Sequence, residues 1–321
     1  MTSISDDPSW IRKIHPNINP PSLKDNTADV DRLIKGIKKT LQTEKVGIDL
    51  SLIKRIPELL REFNYDVNCI LYETGECWQL VDLSSSQQDE PLYGLAVDLG
   101  TSTVVIRLLD LMSGNTKGEV SFLNPQMEIG PDILTRIHFV QEDKGLERLQ
   151  GLLIKKLNQE IAGLSKTHDI KITSIVGLAA AGNTTMTHFF MGLDPYWICR
   201  EPYIPVINNP DLIKAKELGL AVHEKAPILV LPSAGSYLGG DLIAGVLASR
   251  LYQQKELSIL VDVGTNAEVV LGNNEWLMAC AGAAGPALEG GVASMGMLAG
   301  PGVIDIRWLP VFSPTWIIHK K

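Results

Sequence analysis

The stretch Tyr-Gly-Leu-Ala-Val-Asp-Leu-Gly-Thr-Ser-Thr, residues 93–103, decides the fold. It predicts an apolar strand that ends in an Asp-x-Gly-Thr turn, and Val104–Leu109 is the expected return strand. Gly100 lets the backbone turn sharply and lets a phosphate come close. Thr101 and the residues after it offer hydroxyl and backbone N–H groups, which form a small anion-binding nest. One such hairpin is weak evidence, because Asp-Gly turns are common between strands.

A second copy of the same pattern makes the evidence much stronger. Residues 97–102, Val-Asp-Leu-Gly-Thr-Ser, align with residues 261–266, Val-Asp-Val-Gly-Thr-Asn. Beyond the turns, Val105-Ile106 aligns with Val269-Val270. Internal repeats of this kind indicate a repeated structural unit. We therefore predict an α/β protein with two similar lobes and a cleft between them.

Each of the two turns carries an aspartate, Asp98 or Asp262. A carboxylate does not bind phosphate directly, because the charges repel. It can hold a magnesium ion, usually through water, or orient an attacking water molecule. We therefore predict that Asp98 and Asp262 are the catalytic and metal-binding residues. Asp241, at a helix start, or Glu268, on a return strand, could supply a second acidic group, although a carboxylate at a helix start is ordinary.

Two further segments are candidates for nucleotide binding. Gly182-Asn183-Thr184-Thr185 lies between an apolar strand and a helix, so Asn183 or Thr184 could cap the helix, contact phosphate, or do both. The glycine-rich residues 281–290, which include Gly282, allow close backbone approach before a helix. Tight helix packing is the alternative there. The spacing fits neither the Rossmann fingerprint nor the P-loop.

The rest of the chain sets the domain boundaries. Helical spacing at Leu33–Leu41 and Leu52–Leu60 and short strands around Gly75 precede a polar segment, Ser84–Pro91. We predict a linker domain at residues 1–90, a first lobe at 91–205 and a second lobe at 206–321. His138 and His188 fall on apolar helices, where a core or surface placement is expected.

Composition excludes several classes of protein. The 321 residues carry a net charge of −8, which argues against nucleic-acid binding. No apolar run is long enough to span a membrane, and the N-terminus has no apolar signal region, so we expect a cytoplasmic protein. The four cysteines, Cys69, Cys77, Cys199 and Cys280, include no C-x-x-C pair, so we expect no iron–sulfur cluster in this chain.

The motifs together resemble those of the acetate and sugar kinase, heat-shock cognate and actin superfamily. More narrowly, the chain resembles the reductive activators of corrinoid-dependent enzymes. That resemblance rests on residues 93–103, 182–186, 261–268 and 284–290, and residues 20–33 resemble the family's linker domain. It implies a ribonuclease H-like, actin/sugar-kinase-type fold of two lobes, with a small N-terminal α+β linker domain.

The resemblance also implies a function. ATP hydrolysis would drive electron transfer to a corrinoid protein of a methyltransferase system, converting Co(II) to Co(I), in a homodimer. Asp98, Thr101, Ser102 and Thr103 would lie at the phosphates and magnesium. The second lobe would contribute Asp262, Gly264, Thr265 and Asn266, while Gly285 and Glu289 would lie near the ribose and base.

Two departures from the family pattern affect this expectation. The cysteine-rich electron-donating segment is not found in the sequence, so the electron would come from a separate or missing iron–sulfur domain. The likeness stops near Ile306, and residues 307–321 do not continue it, so we expect a second lobe that is incomplete. Two alternatives remain open: a nucleotide-binding interaction protein without turnover, and a small-molecule kinase of the same superfamily.

Overall fold

The computed structural model describes residues 9–87, 90–263 and 266–283. The chain divides into two compact units, Met1–Ala248 and Ser249–Lys321. In the described residues, the first unit contains a four-stranded and a six-stranded sheet, and the second contains a three-stranded sheet.

The four-stranded sheet and its helices form the N-terminal part of the first unit. The strands are β1 (Ile11–Ile14), β2 (Val46–Ile48), β3 (Val67–Glu73) and β4 (Trp78–Ser85), in the order β1-β3-β4-β2, and the helices are α1 (Asp29–Leu41), α2 (Leu50–Ile53) and α3 (Ile56–Glu62). Leu33 and Ile37 lie one turn apart on α1 and are fully buried. The sequence predicted helical spacing at residues 52–60, and the structure has two helices there, α2 and α3. Pro57 lies in the first turn of α3, where a backbone N–H would have no partner within the helix, so its absence costs nothing.

The six-stranded sheet is the larger half of the first unit. Its strands are β5 (Tyr93–Leu99), β6 (Thr103–Asp110), β7 (Thr116–Leu123), β8 (Ile175–Gly182), β9 (Ile213–Lys214) and β10 (Pro227–Val230), and its helices are α4 (Ile133–Phe139), α5 (Gly145–Thr167), α6 (Thr184–Met191) and α7 (Gly240–Ser249). The order is β7-β6-β5-β8-β10-β9. Strands β5, β8 and β10 run parallel, so their carboxyl ends meet at one edge of the sheet.

The core of this half forms because α5 has an apolar face. Leu153, Leu157 and Ile161 recur at helical spacing and pack with the inward residues of the sheet, such as Val97 and Ile106. The opposite face of α5 is polar. Within the described ranges, no helix combines the length and the apolar character needed to cross a bilayer.

The sequence-based boundary after residue 205 falls inside the first unit. Strand β10 pairs in parallel with β8, and β9 pairs with β10, so both belong to the sheet that contains β5. The two compact units divide after Ala248 instead. Sequence patterning missed this because a buried parallel strand as short as β10 has no periodicity that assigns it to one sheet or another.

The N-terminal half packs directly on the six-stranded sheet. Its apolar contact is a cluster of buried side chains from both halves: Ile11, Ile70, Tyr72, Val81, Leu92 and Val176. Two polar contacts flank the cluster. Lys214 Nζ lies 2.8 Å from an Asp49 carboxylate oxygen, and His223 Nε2 lies 3.3 Å from Asp82 Oδ2. The N-terminal half and the six-stranded sheet therefore form one continuous packed unit.

The second unit repeats the strand order of β5-β6-β7. Its strands are β11 (Ser258–Val263), β12 (Asn266–Gly272) and β13 (Leu277–Ala283), and each neighbouring pair is antiparallel. Leu99 pairs with Val104 in the first hairpin, whereas Val263 pairs with Ala267 in the second, so the second turn is one residue shorter. The alignment of Val105-Ile106 with Val269-Val270 is therefore wrong by one residue.

His188 is a core residue, whereas His138 is exposed on α4, as the sequence indicated. The Nδ1 atom of His188 lies 2.7 Å from the Thr184 carbonyl oxygen, and the Val206 N–H donates to the Nε2 atom of His188 at 3.0 Å. The ring therefore bonds as the neutral Nδ1–H form. Burial lowers the pKa of His188, and the hydrogen bond to the Thr184 carbonyl only partly offsets that effect.

The first unit should lose stability as the pH falls, in part because of His188. A histidine whose pKa is lower in the folded state takes up its proton more readily when unfolded. The free energy of unfolding should therefore fall as pH drops below about 6.5, the ordinary histidine value. Chemical denaturation between about pH 8 and about pH 5 measures this. His188→Gln, which cannot titrate, should flatten part of the slope, and His138→Gln should not. Equal slopes in all three proteins would contradict the assignment.

Candidate functional site

The turn between β5 and β6 is the centre of the candidate site in the first unit. Gly100 lies in it, and a Cβ added there would overlap the carbonyl oxygen of Thr103. Glycine is thus required by space at this position. Asp98 is half-buried and lies opposite Val105 on β6 and Ala181 on β8. The strand therefore brings its carboxylate to the sheet edge just before the turn, as the sequence indicated.

The hydroxyl groups of the turn differ in their surroundings. Thr101 is 5% exposed, and its Oγ1 accepts a hydrogen bond from Asn183 Nδ2 at 3.0 Å. Ser102 and Thr103 are exposed. A ligand that approaches the turn can therefore reach the hydroxyl groups of Ser102 and Thr103, while Thr101 ties the turn to the next element.

Asn183 connects the turn to α6. It is the N-cap of that helix, and its Oδ1 accepts a hydrogen bond from the Met186 N–H at 2.9 Å. Its Nδ2 donates to Thr101, so one side chain caps the helix and braces the turn. Capping by Asn183, one of the readings that the sequence left open, is confirmed. Thr184 is buried and its hydroxyl donates to the Gly235 carbonyl oxygen at 2.9 Å, which leaves its backbone N–H, at the helix start, as the group suited to an anion.

Glycines allow the three elements at the sheet edge to approach closely. A Cβ on Gly182 would lie 2.7 Å from the Leu99 carbonyl oxygen, and one on Gly239 would lie 2.5 Å from the Asn183 Cα. Asp241 follows in the first turn of α7 and accepts a hydrogen bond from the Leu242 N–H at 2.9 Å. The ends of β5 and β8 and the start of α7 thus converge, which is where ligands bind in open α/β sheets.

Sequence reasoning missed Asn124, which donates hydrogen bonds to the backbone of the β5–β6 turn. The side chain is 1% exposed; Nδ2 donates to the Gly100 carbonyl oxygen at 3.0 Å, and the Asn124 N–H donates to the Ser102 carbonyl oxygen at 2.8 Å. Both carbonyl oxygens therefore have their hydrogen-bonding partner in Asn124. The Asn-Pro pair at 124–125 was the available signal, because asparagine before proline favours a cap or turn.

The second unit places two carboxylates side by side. Asp262 on β11 pairs directly with Glu268 on β12, so both side chains project from the same face of the sheet. Like charges directly opposite each other destabilise a strand pair. Gly282 pairs with Ala267 and is exposed; it belongs to the opposite face. The described part of the chain has no group of three or more His, Cys, Asp or Glu side chains that could hold a metal ion.

Several predicted residues cannot be placed. Gly264, Thr265, Gly285 and Glu289 lie outside the described residues, and only the backbone of Asn266 is described. All four cysteines are described, and none forms a disulfide. Burial raises the pKa of the Cys69 thiol far above its ordinary value, so Cys69 is an inert core residue.

The first unit fits a magnesium nucleotide in its donor set. The turn has no Cβ at Gly100, two exposed hydroxyl groups and a capped helix start, while Asp98 is the oxygen ligand that magnesium prefers. These groups suit phosphate contact through backbone and hydroxyl donors and metal contact through a carboxylate.

Three family profiles together match nearly the whole chain. The RACo linker region matches residues 4–90, the RACo middle region matches residues 93–254, and the C-terminal domain of RACo, the ASKHA domain, matches residues 256–309. The ASKHA group is that of actin and the sugar kinases, so the fold class expected from the two hairpins is confirmed.

Individual relatives agree with these matches. Corrinoid activation enzyme RamQ of Eubacterium limosum is 29% identical over 281 residues, which cover 87% of this chain and 46% of RamQ. The [Co(II) methylated amine-specific corrinoid protein] reductase of Methanosarcina barkeri is 27% identical over 226 residues, covering 67% of this chain and 41% of the reductase.

A solved structure gives the same result in three dimensions. The structure of a reductive activator for corrinoid, iron–sulfur protein superposes with a TM-score of 0.84 at 33% identity, covering 92% of this chain and 47% of that one. The chain spans less than half the length of each of these relatives. With the middle region alone matching residues 93–254, the chain belongs to the RACo family of corrinoid reductive activators.

Proposed function

We propose that this chain binds MgATP and takes part in the ATP-dependent reductive activation of a corrinoid protein, from Co(II) to Co(I). The observation that supports the proposal is the β5–β6 turn, which exposes the hydroxyl groups of Ser102 and Thr103. The hydrogen bond between Asn183 and Thr101 connects this turn to α6. The chain that carries the turn is a member of the RACo family. The relatives named for corrinoid activation support the choice of partner.

In this proposal each group at the turn has a distinct task. Hydroxyl and backbone N–H groups of Ser102 and Thr103 would donate to phosphate oxygens, and the start of α6 would add backbone N–H groups and its dipole. Asp98 would hold the magnesium ion, directly or through water. Asp262, with Glu268 opposite it, would be a second candidate for holding a cation. MgATP supplies the free energy of phosphoanhydride hydrolysis.

A route by which the turn could influence the rest of the unit follows from its contacts. Asn183 caps α6, and α6 carries His188, which accepts a hydrogen bond from the Val206 N–H. A shift of the turn would therefore pull on α6 and on the exposed segment around Val206. We propose that a change in the bound nucleotide is transmitted to the corrinoid partner through such a shift. The electron would come from an iron–sulfur donor. The active form would be a homodimer in the cytoplasm.

Calorimetry with MgATP tests the first step. The unaltered chain should bind in the micromolar range, and Asp98→Asn and Asp262→Asn should each weaken binding by about 10-fold or more, equivalent to about 1.4 kcal/mol. Asp143→Asn is the matched control, since Asp143 is exposed in a loop outside the candidate site. Binding without hydrolysis would favour the interaction protein without turnover. A folded chain that binds no MgATP would contradict the proposal.

Gly100→Ala should weaken nucleotide binding. The added Cβ would overlap the Thr103 carbonyl oxygen, and a backbone atom cannot move aside without opening the turn. We expect a loss of affinity of at least about 10-fold, measured by calorimetry. Gly151→Ala is the control, because nothing lies within 4 Å of a Cβ at that helix position. It should bind MgATP normally and be slightly more stable. Full affinity in Gly100→Ala would show that the turn is not at the phosphates.

Reduction of cobalt tests the proposed reaction itself. A methyltransferase corrinoid protein in the Co(II) state is mixed with this chain, a low-potential iron–sulfur donor and MgATP, and the visible spectrum is followed for Co(I). We expect Co(I) to appear only when ATP is present, and Asp98→Asn to slow it. Phosphate transfer to a sugar or acid in place of Co(I) formation would favour the kinase alternative.

A further inference from the structure

Arg136 is a fully buried cation beside the candidate nucleotide site. The residue is 0% exposed. Its Nε donates to the Gly130 carbonyl oxygen at 2.8 Å, and its Nη1 lies 3.7 Å from Met186 Sδ, a weak acceptor. Its Nη2 has no hydrogen-bond partner among the described residues. The guanidinium group is therefore only partly satisfied.

No carboxylate within the described ranges forms an ion pair with Arg136. The acid that acts on it is Asp132, four residues earlier, and its carboxylate accepts hydrogen bonds from the Thr135 N–H and hydroxyl. Burial lowers the pKa of Arg136 to about 10, which Asp132 only partly offsets. The group thus stays charged at neutral pH.

A short chain of contacts connects this charge to the β5–β6 turn. Asn124 Nδ2 lies 3.7 Å from the same Met186 Sδ that Arg136 contacts, and it donates to the Gly100 carbonyl oxygen at 3.0 Å. Met186 is the residue whose N–H is held by the helix cap Asn183. Arg136 therefore lies behind both groups proposed to meet phosphate, the turn and the first turn of α6.

The electric field of a buried charge extends further than that of an exposed charge. A buried cation without an acid partner is costly, so it stabilises any anion that binds nearby. Water and salt screen exposed charges, but they screen a buried charge much less. A phosphate at the turn would add negative charge to that of Asp132, which only partly offsets the effect of burying Arg136.

We propose that Arg136 is a positioning residue whose buried charge makes the β5–β6 turn prefer ligands with more phosphate charge, which deepens the proposed function and rests on it. Arg136 does not touch the ligand. It acts by its field and by holding Met186 and Gly130 in place. The ligand class that it favours is the nucleoside triphosphate over the diphosphate, and the diphosphate over the nucleoside.

Calorimetry with the full chain and MgATP, MgADP and adenosine separates a charge effect from a purely structural one. Arg136→Met should weaken MgATP binding by about 10-fold, MgADP by less, and adenosine by under about 2-fold. Arg136→Lys keeps the charge and should keep the order of preference. Arg107→Met is the control. Arg107 lies on β6 with a side chain 59% exposed, so the same loss of charge should leave all three affinities unchanged.

A second measurement needs no variant. Because Arg136 is buried, the preference of the unaltered chain for MgATP over adenosine should change by less than about 3-fold between low and about 1 M salt. Loss of the preference at high salt, or an equal loss of all three affinities in a folded Arg136→Met protein, would overturn the inference. Failure of the unaltered chain to bind MgATP would instead reject the proposed function, so the two failures are distinct.

Discussion

Close backbone approach at one sheet edge is the constraint on which the candidate site depends. Gly182 meets the end of β5, and Gly239 meets Asn183, at distances that leave no room for a side chain. Those contacts exist because β5, β8 and β10 run parallel and end together. Once the backbones are this close, a single asparagine can cap α6 and hold the Thr101 hydroxyl at the same time.

The polar groups that contact the β5–β6 turn from the protein interior are consistent with the proposed anion site. Asn124 binds the carbonyl oxygens of Gly100 and Ser102 through its side chain and its N–H, so both oxygens already accept a hydrogen bond from the protein. Arg136 stands one contact further back. Among the described residues, the proposed site would thus gain favourable potential from groups that do not touch the ligand, unlike a P-loop, which places a lysine at the phosphates.

The sequence predicted the hairpins and helices of the site well, because each has a strong local signal. Asp-x-Gly-Thr after an apolar run specifies β5 and its turn, and Asn183 before α6 is a typical cap. The features that sequence reasoning missed depend on contacts between residues that are distant along the chain. The assignment of β10 to the first sheet is decided by pairing with β8, and the role of Asn124 is decided by where Gly100 comes to lie.

The shorter second turn shows that loop length can set surface chemistry without any change in a strand. Register in a hairpin follows from the number of residues in its turn, and a shift of one residue exchanges the two faces of the strand. With the longer turn of the first hairpin, Asp262 would face Val269, and its acidic neighbour would point the other way. One deleted residue is thus enough to replace an aspartate–valine pair by two paired carboxylates, a route to divergence that comparison of strand residues alone would overlook.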